Sequence, residues 1–335
     1  MQWSRIIGGA ASIFVVLTVF SGAVPAASQT PSPENPKVEP SIEIQAQHGV
    51  RQMMNGRLNA AIATFRQIER EHPASPLGYL LEADATWWKI YYSTANLIDP
   101  DVFDVVYSDQ TPYDARFDRL VKTAIRKAED RIHANQGVAK SYLYEGMAYA
   151  LEGRLAGLRA QDLATARAGK KMRARLITAI KLDPNLTDAD AGLGLYNYFV
   201  ATLPTIVKML RFLVGLPGGS RKTGLQEMEK AAEHGNLVRA EAKFYLAKDF
   251  TRKDELQFAK SLQLFQQLAL EFPENPFWKL MMGSVEMRLG ERGRGEATYR
   301  KVLAETAGGN TLVAKAVHRQ VAGALERLHP EETFK

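Results

Sequence analysis

The feature that most constrains this chain is a proline that recurs at a fixed distance ahead of a small residue. Three prolines are each followed ten residues later by alanine or glycine: Pro73 by Ala83, Pro184 by Gly194, and Pro273 by Gly283. Proline ends a helix because it lacks an amide hydrogen and crowds the preceding turn, and a small residue lets two helices approach closely. The register therefore predicts stacked pairs of helices, with each proline in the turn between one pair and the next.

The residues before the first of these prolines complete the pattern. Upstream of Pro73, Gly49 is the small residue, Ala61 the alanine and Phe65 the large apolar residue of a helix pair that repeats about every 34 residues. Alternation typical of strands is almost absent after Ser41, and good helix formers fill most positions. The sequence therefore predicts an all-α chain.

These offsets resemble those of the tetratricopeptide-repeat superfamily over roughly residues 42–309. The resemblance implies a right-handed helical solenoid of about six repeat units, with residues 311–328 as a capping helix. It also implies a concave groove that binds another polypeptide. The second, third and fourth units are longer than the pattern, so we expect helical insertions in the middle repeats, and we expect function there.

A narrower resemblance covers residues 192–225. The segment that runs from Gly192 through Tyr198 and an apolar stretch to Leu225 is similar to eukaryotic inclusion-body-clearance tetratricopeptide proteins of the mitochondrial outer membrane. This resemblance implies a helical repeat protein near a membrane. The N-terminal signal and the shorter length of this chain depart from those proteins.

The N-terminus predicts export. Arg5 precedes the uncharged residues 6–23, and small residues around Ala26 follow, which is the order of a secretory signal. We expect residues 1–26 to be a signal peptide cleaved near Ala26, which would give a periplasmic or secreted protein; a retained anchor is the alternative. The proline-spaced residues 27–41 predict a disordered linker, and residues 42–335 form the predicted solenoid.

The composition excludes several kinds of chemistry. The 335 residues include no cysteine, which excludes a thiolate nucleophile, Cys-ligated zinc and a disulfide framework. The six histidines form no metal-spaced pair, and no Gly-x-Ser-x-Gly elbow occurs. A phosphate loop is also excluded, because Arg221 stands where a glycine must precede Lys222. We therefore expect no enzymatic activity, no catalytic or metal-binding residue and no cofactor.

One group of candidate partner-binding residues is aromatic and acidic. The repeat frame places Asp84, Trp87, Trp88 and Tyr91 on one face of a groove-lining helix, and Tyr198 on another such helix. Exposed aromatic rings beside a carboxylate would suit a peptide with a basic side chain. The alternative is that these rings are core residues, because large aromatic residues at helical spacing usually are.

The second group is a basic segment, residues 154–181. It contains eight basic residues and one acidic residue, Asp162. Arg167, Lys171 and Arg175 recur every four residues, so they share a helix face that could select an acidic partner or anionic lipid headgroups. A solvated helix face is the alternative. No aromatic residue is interleaved with these cations, so we expect no nucleic-acid partner.

An apolar segment supports a competing hypothesis. Residues 204–216 carry only two charges, Lys208 and Arg211, among apolar residues that include Phe212. A helix with this pattern is buried, either inside the solenoid or against a bilayer. The first predicted function is an exported, non-enzymatic scaffold of the cell envelope that binds a partner polypeptide in its groove. The alternative is a peripheral membrane protein that contacts lipid through residues 204–216 and the basic segment.

Overall fold

The computed structural model describes residues 41–99, 110–203, 215 and 217–331. Within these ranges the chain forms thirteen helices and no strand, which confirms the predicted all-α class. The predicted signal peptide and nearly all of the predicted linker lie outside the described residues. The membrane-contact candidates Lys208, Arg211 and Phe212 lie outside them as well.

The helices are numbered here in chain order. The first six are α1 (Ile42–Met54), α2 (Leu58–Glu71), α3 (Leu77–Thr94), α4 (Asp114–His133), α5 (Val138–Leu158) and α6 (Asp162–Leu182). The next four are α7 (Asp188–Thr202), α8 (Arg221–His234), α9 (Arg239–Thr251) and α10 (Phe258–Glu271). The last three are α11 (Pro276–Arg288), α12 (Arg292–Thr306) and α13 (Leu312–Leu328).

Successive helices pack as pairs, from α1 with α2 to α11 with α12, and α13 packs on the last pair. Pro73 lies between α2 and α3, Pro184 between α6 and α7, and Pro273 between α10 and α11. All three prolines therefore stand in turns between pairs, where the ten-residue register predicts them. This arrangement of adjacent helices is consistent with an all-α solenoid.

Small residues on the first helix of a pair face large residues on the second. Gly49 faces Phe65, Gly146 faces Leu176, and Gly283 faces Tyr299, each too closely for a Cβ atom to fit without displacing its neighbour. A Cβ atom on Gly194 would lie 2.8 Å from the carbonyl oxygen of Gly224 and 2.9 Å from the amide nitrogen of Met228. Glycine at these positions therefore sets how closely the paired helices approach.

The third pair is longer than the first. Helices α5 and α6 have 21 residues each, whereas α1 has 13 and α2 has 14. The extra residues of the third unit therefore extend both helices. No described helix combines the length and apolar character that a membrane span requires.

The first helices of the pairs form the interior of the array. In α3, 14 of 18 residues are buried, and in α9, 11 of 13 are buried, whereas α2 and α4 bury one apolar face each. Helix α3 contacts α1, α4, α5 and α13, and its aromatic rings also meet rings of α9 and α11. A helix with neighbours on several sides must be apolar nearly all round.

Hydrogen bonds join the two ends of the array. The indole Nε1 of Trp278 donates to the Met54 carbonyl oxygen at 3.0 Å, and the Asn275 side-chain amide donates to the same oxygen at 2.9 Å. The Gln320 side-chain amide donates to the Ala95 carbonyl oxygen at 3.2 Å. These contacts link helices separated by more than 180 residues, so the inner surface is closed by the chain itself.

The close approach at Gly194 can be tested by adding one methyl group. We expect Gly194→Ala to lower the free energy of unfolding by about 1–3 kcal/mol, because two of the three nearest atoms are backbone atoms that cannot move aside. The matched control is Gly153→Ala in α5, whose Cβ would lie 3.5 Å from its nearest neighbour; helix propensity predicts a gain of about 0.5–1 kcal/mol. Urea unfolding followed by circular dichroism measures both changes. A Gly194→Ala protein as stable as the parent would contradict this packing.

Candidate functional site

The candidate site is the solvent-exposed face of α6. Exposed positions recur along this helix at spacings of three and four residues, so they form one continuous stripe. We call it the α6 stripe; its exposed residues are Leu163, Arg167, Lys170, Lys171, Ala174 and Lys181. The stripe has four cations and no acidic residue; the end residues of α6, Asp162 and Leu182, are exposed as well but are not part of the stripe. Among the described residues, no ion pair reaches Arg167, Lys170 or Lys181.

Neighbouring helices supply aromatic rings beneath two cations of α6. The Lys171 ammonium lies 4.9 Å from the ring centroid of Tyr149, which belongs to α5. The Arg173 guanidinium lies 5.5 Å from the ring centroid of Tyr196, which belongs to α7. Such contacts hold a cation in place without removing its charge. The segment itself contains no aromatic residue, as the sequence shows, and the fold brings in these rings from elsewhere.

Arg175 is the most restrained of the predicted basic residues. Its Nε donates to Glu145 Oε1 at 2.7 Å, and its guanidinium lies 5.7 Å from the ring centroid of Tyr142. The Glu145 side chain is fully buried, whereas 39% of the Arg175 side chain is exposed. Arg175 is thus an ion-paired residue beside the α6 stripe, and Arg167 and Lys171 lie on the stripe itself.

The aromatic residues predicted to anchor a peptide lie in the interior. Trp87, Trp88, Tyr91 and Tyr198 are all buried, and Trp88 and Tyr198 expose 1% and 0% of their surface. The Trp88 ring centroid is 5.4 Å from that of Phe244 in α9. A polypeptide on the surface cannot reach these rings, so they do not line an exposed groove. The alternative kept open by the sequence, that they are core residues, agrees with this burial.

Asp84 also faces the interior, where it meets a cation of the same chain. Arg154 Nη1 lies 3.5 Å from Asp84 Oδ1 and 2.8 Å from Glu241 Oε1, and Arg154 Nη2 donates to Glu241 Oε2 at 3.1 Å. The Arg154 guanidinium also lies between two rings, 5.4 Å from the Trp87 centroid and 4.9 Å from the Tyr245 centroid. Asp84 therefore does not select a basic partner at the surface, and Arg154 does not belong to the basic surface.

The Asp84–Arg154–Glu241 cluster places two carboxyl groups beside one guanidinium. Burial raises the pKa of Asp84 well above its usual range, the charge of Glu241 raises it further, and Arg154 opposes both effects only in part. Asp84 therefore keeps its proton at pH values where an exposed aspartate would lose it. Sequence reasoning missed Glu241, because nothing in a single buried glutamate of α9 indicates which distant residues it meets.

A second carboxyl pair lies between α2, α3 and α4. Arg66 Nη2 lies 2.9 Å from Glu82 Oε1, and Arg116 Nη2 lies 2.8 Å from Glu82 Oε2. Burial raises the pKa of the neighbouring Glu69 to about 8, and a hydrogen bond to Glu82 together with its charge adds to this effect. Both arginines therefore pair with Glu82, while Glu69 holds a proton.

The role of Trp88 as a core residue can be tested by truncating its side chain. We expect Trp88→Ala to lower the free energy of unfolding by about 3–5 kcal/mol, because the ring fills the interior between α3, α9 and α11. The control is Arg167→Ala on the exposed stripe, which should change stability by no more than about 0.5 kcal/mol. Urea denaturation of both variants measures these values. Equal stability of Trp88→Ala and the parent would show that the ring is not part of the core.

The raised pKa of Glu69 predicts that the stability of the folded protein depends on pH. Between pH 4.5 and about 8 the folded protein keeps a proton on Glu69 that the unfolded chain has lost, so stability should fall as the pH rises through this window. Glu69→Gln should reduce that fall, because an uncharged amide can donate to Glu82 at every pH. Thermal unfolding at a series of pH values measures the difference. An unchanged pH profile in the variant would contradict the assignment.

Comparison with known proteins adds no assignment. No protein-family model matches this chain, and no curated protein matches it. The function proposed below therefore rests on the sequence and on the arrangement of residues described above.

Proposed function

We propose that this protein is an exported, non-enzymatic scaffold of the tetratricopeptide-repeat type that binds an acidic segment of another polypeptide along the α6 stripe. The turns at Pro73, Pro184 and Pro273 and the close contacts of small with large residues within pairs support the repeat type. The signal-like order of residues 1–26 supports export.

The observation that carries the proposal is the one-sided charge of the α6 stripe. Over residues 163–181 its four cations face solvent with no acidic residue among them. At a rise of about 1.5 Å per residue, this stretch is about 27 Å long, long enough to lie along an extended acidic segment or an acidic helix. Charge complementarity of this kind increases the association rate and selects against basic or neutral partners.

The tyrosines and Glu145 at the base of α6 favour binding by limiting the motion of neighbouring cations. Lys171 rests on Tyr149, and Arg175 is held by Glu145 and Tyr142. A side chain that is already ordered loses less conformational entropy when a partner arrives. We expect a salt-sensitive interaction, because the stripe is exposed and its charges are screened by ions.

The α6 stripe suits an acidic polypeptide better than a membrane surface. A helix that lies in a membrane interface needs an apolar face alongside its cations. The exposed large apolar side chains of α6 are Leu163 and Leu182, which lie at opposite ends of the helix and form no continuous apolar face, and the buried face of α6 packs on α5 and α7. The membrane hypothesis remains a distinct outcome of the experiment below.

The test uses a fluorescein-labelled polyglutamate peptide and fluorescence anisotropy. We expect the triple substitution Arg167→Gln, Lys170→Gln and Lys171→Gln to weaken binding about tenfold or more, because three charge contacts of about 0.5 kcal/mol each are removed. Raising the salt concentration from about 50 mM to about 500 mM should weaken binding of the parent protein in the same direction.

The control carries the same change in charge elsewhere on the surface. It replaces the exposed residues Lys301, Lys315 and Arg319 of α12 and α13 with Gln and should leave peptide affinity almost unchanged. Equal weakening by both triple variants would show that net charge alone is recognised, which contradicts a site on α6. If the parent binds phosphatidylglycerol vesicles but not the peptide, and the α6 variant loses vesicle binding, the membrane hypothesis replaces this proposal.

A further inference from the structure

The Asp84–Arg154–Glu241 cluster joins three helices that are far apart in sequence. Asp84 belongs to α3, Arg154 to α5 and Glu241 to α9. The three side chains expose only 12%, 18% and 6% of their surface. Substitution or ionisation of any one of them therefore acts on the contact between α3, α5 and α9.

Among the residues that the structure describes, Arg154 is the one cation that pairs with Asp84 and Glu241. Helix α3 contributes Asp84 and Tyr91, α5 contributes Arg154, and α9 contributes Glu241, Tyr245, Lys248 and Asp249; Arg252, Glu255 and Tyr198 lie farther along, beside Asp249. The Lys248 ammonium lies 3.4 Å from the Tyr91 hydroxyl and 5.4 Å from the Phe244 ring centroid. Within the described part of the chain, neither oxygen of the fully buried Asp249 carboxyl group has a hydrogen-bond partner.

Charge balance in the cluster therefore depends on one proton. With Asp84 protonated, Glu241 and Arg154 form a neutral pair, and the Asp84 carboxyl group can donate a hydrogen bond to Glu241. Without that proton, two carboxylates face one guanidinium in a largely buried site. A buried charge that lacks a partner is costly unless water reaches it, so ionisation favours the separation of α3 and α9.

We propose that the Asp84–Arg154–Glu241 cluster is a proton-dependent latch, which holds α3 against α5 and α9 while Asp84 is protonated and opens when that proton is lost. The opening exposes the inner aromatic residues, because Trp87 lies directly on the Arg154 guanidinium and stacks on Tyr91 at a centroid distance of 5.1 Å. The latch thus makes the closed inner surface of the array sensitive to pH.

The test is hydrogen exchange measured by mass spectrometry from about pH 5 to about pH 9, corrected for the intrinsic effect of pH on exchange. Because burial raises the pKa of Asp84 in the closed state, the open state loses the proton first, so stability falls as the pH rises. The opening equilibrium constant of α3, α5 and α9 should therefore increase with pH, and one proton limits the increase to about tenfold per pH unit.

Asp84→Asn should remove the one-proton share of this pH dependence that belongs to the cluster, because an amide remains uncharged and can still donate to Glu241; the share of Glu69 should remain. Glu241→Gln should do the same, because Asp84 can then ionise and pair with Arg154 without a competing carboxylate. The controls are Asp249→Asn and Glu69→Gln, which alter carboxyl groups outside the cluster and should leave the contribution of Asp84 intact.

The proposal is overturned if Asp84→Asn and Glu241→Gln both keep the full pH dependence of the parent. A merely structural role would change the overall protection of these helices without changing its dependence on pH. If Asp84→Asn fails to fold, Glu241→Gln is compared with the parent instead. If neither variant folds, the parent alone is measured, and corrected exchange in α3, α5 and α9 that is independent of pH overturns the proposal.

Discussion

The contact between first helices across the inner surface is the interaction on which the rest of this structure depends. Trp88 meets Phe244 of α9 and Trp278 of α11, at ring-centroid distances of 5.4 Å and 6.1 Å. Aromatic rings of this size contribute much of the buried apolar area in an interior. Because the chain fills its own inner surface, the outer faces of the second helices remain exposed, and the α6 stripe carries four cations with no acidic residue among them.

The pairs of helices could be predicted because their signals are local. A proline ends a helix within one turn, and Gly194 and Gly283 lie at a fixed distance from the prolines that precede them. The closure of the inner surface could not be predicted in the same way. Trp88 and Phe244 are separated by more than 150 residues, and the same aromatic pattern fits an exposed groove and a filled core equally well.

For the basic segment, too, the sequence predicts which residues share a helix face but not which distant residues they contact. The exposed face of α6 could be inferred from helical periodicity, because Ala168, Met172, Leu176 and Ala179 form the opposite, buried face. The partners of the individual cations could not. Arg154 ends in the interior beside Glu241, whereas Lys171 rests on a tyrosine of α5 and keeps its charge at the surface. A count of basic residues along the sequence would place all of them on one surface, which is wrong for Arg154.

Helix α5 connects the buried cluster with the proposed binding surface. It carries Arg154 into the interior, and it also carries Tyr142, Glu145 and Tyr149, which hold cations of α6. Loss of order in α5 would release those cations, and each would then have to be ordered again by an arriving partner at a cost in conformational entropy. The proposed protonation of Asp84 and the ordering of the cations on α6 thus both depend on the position of α5.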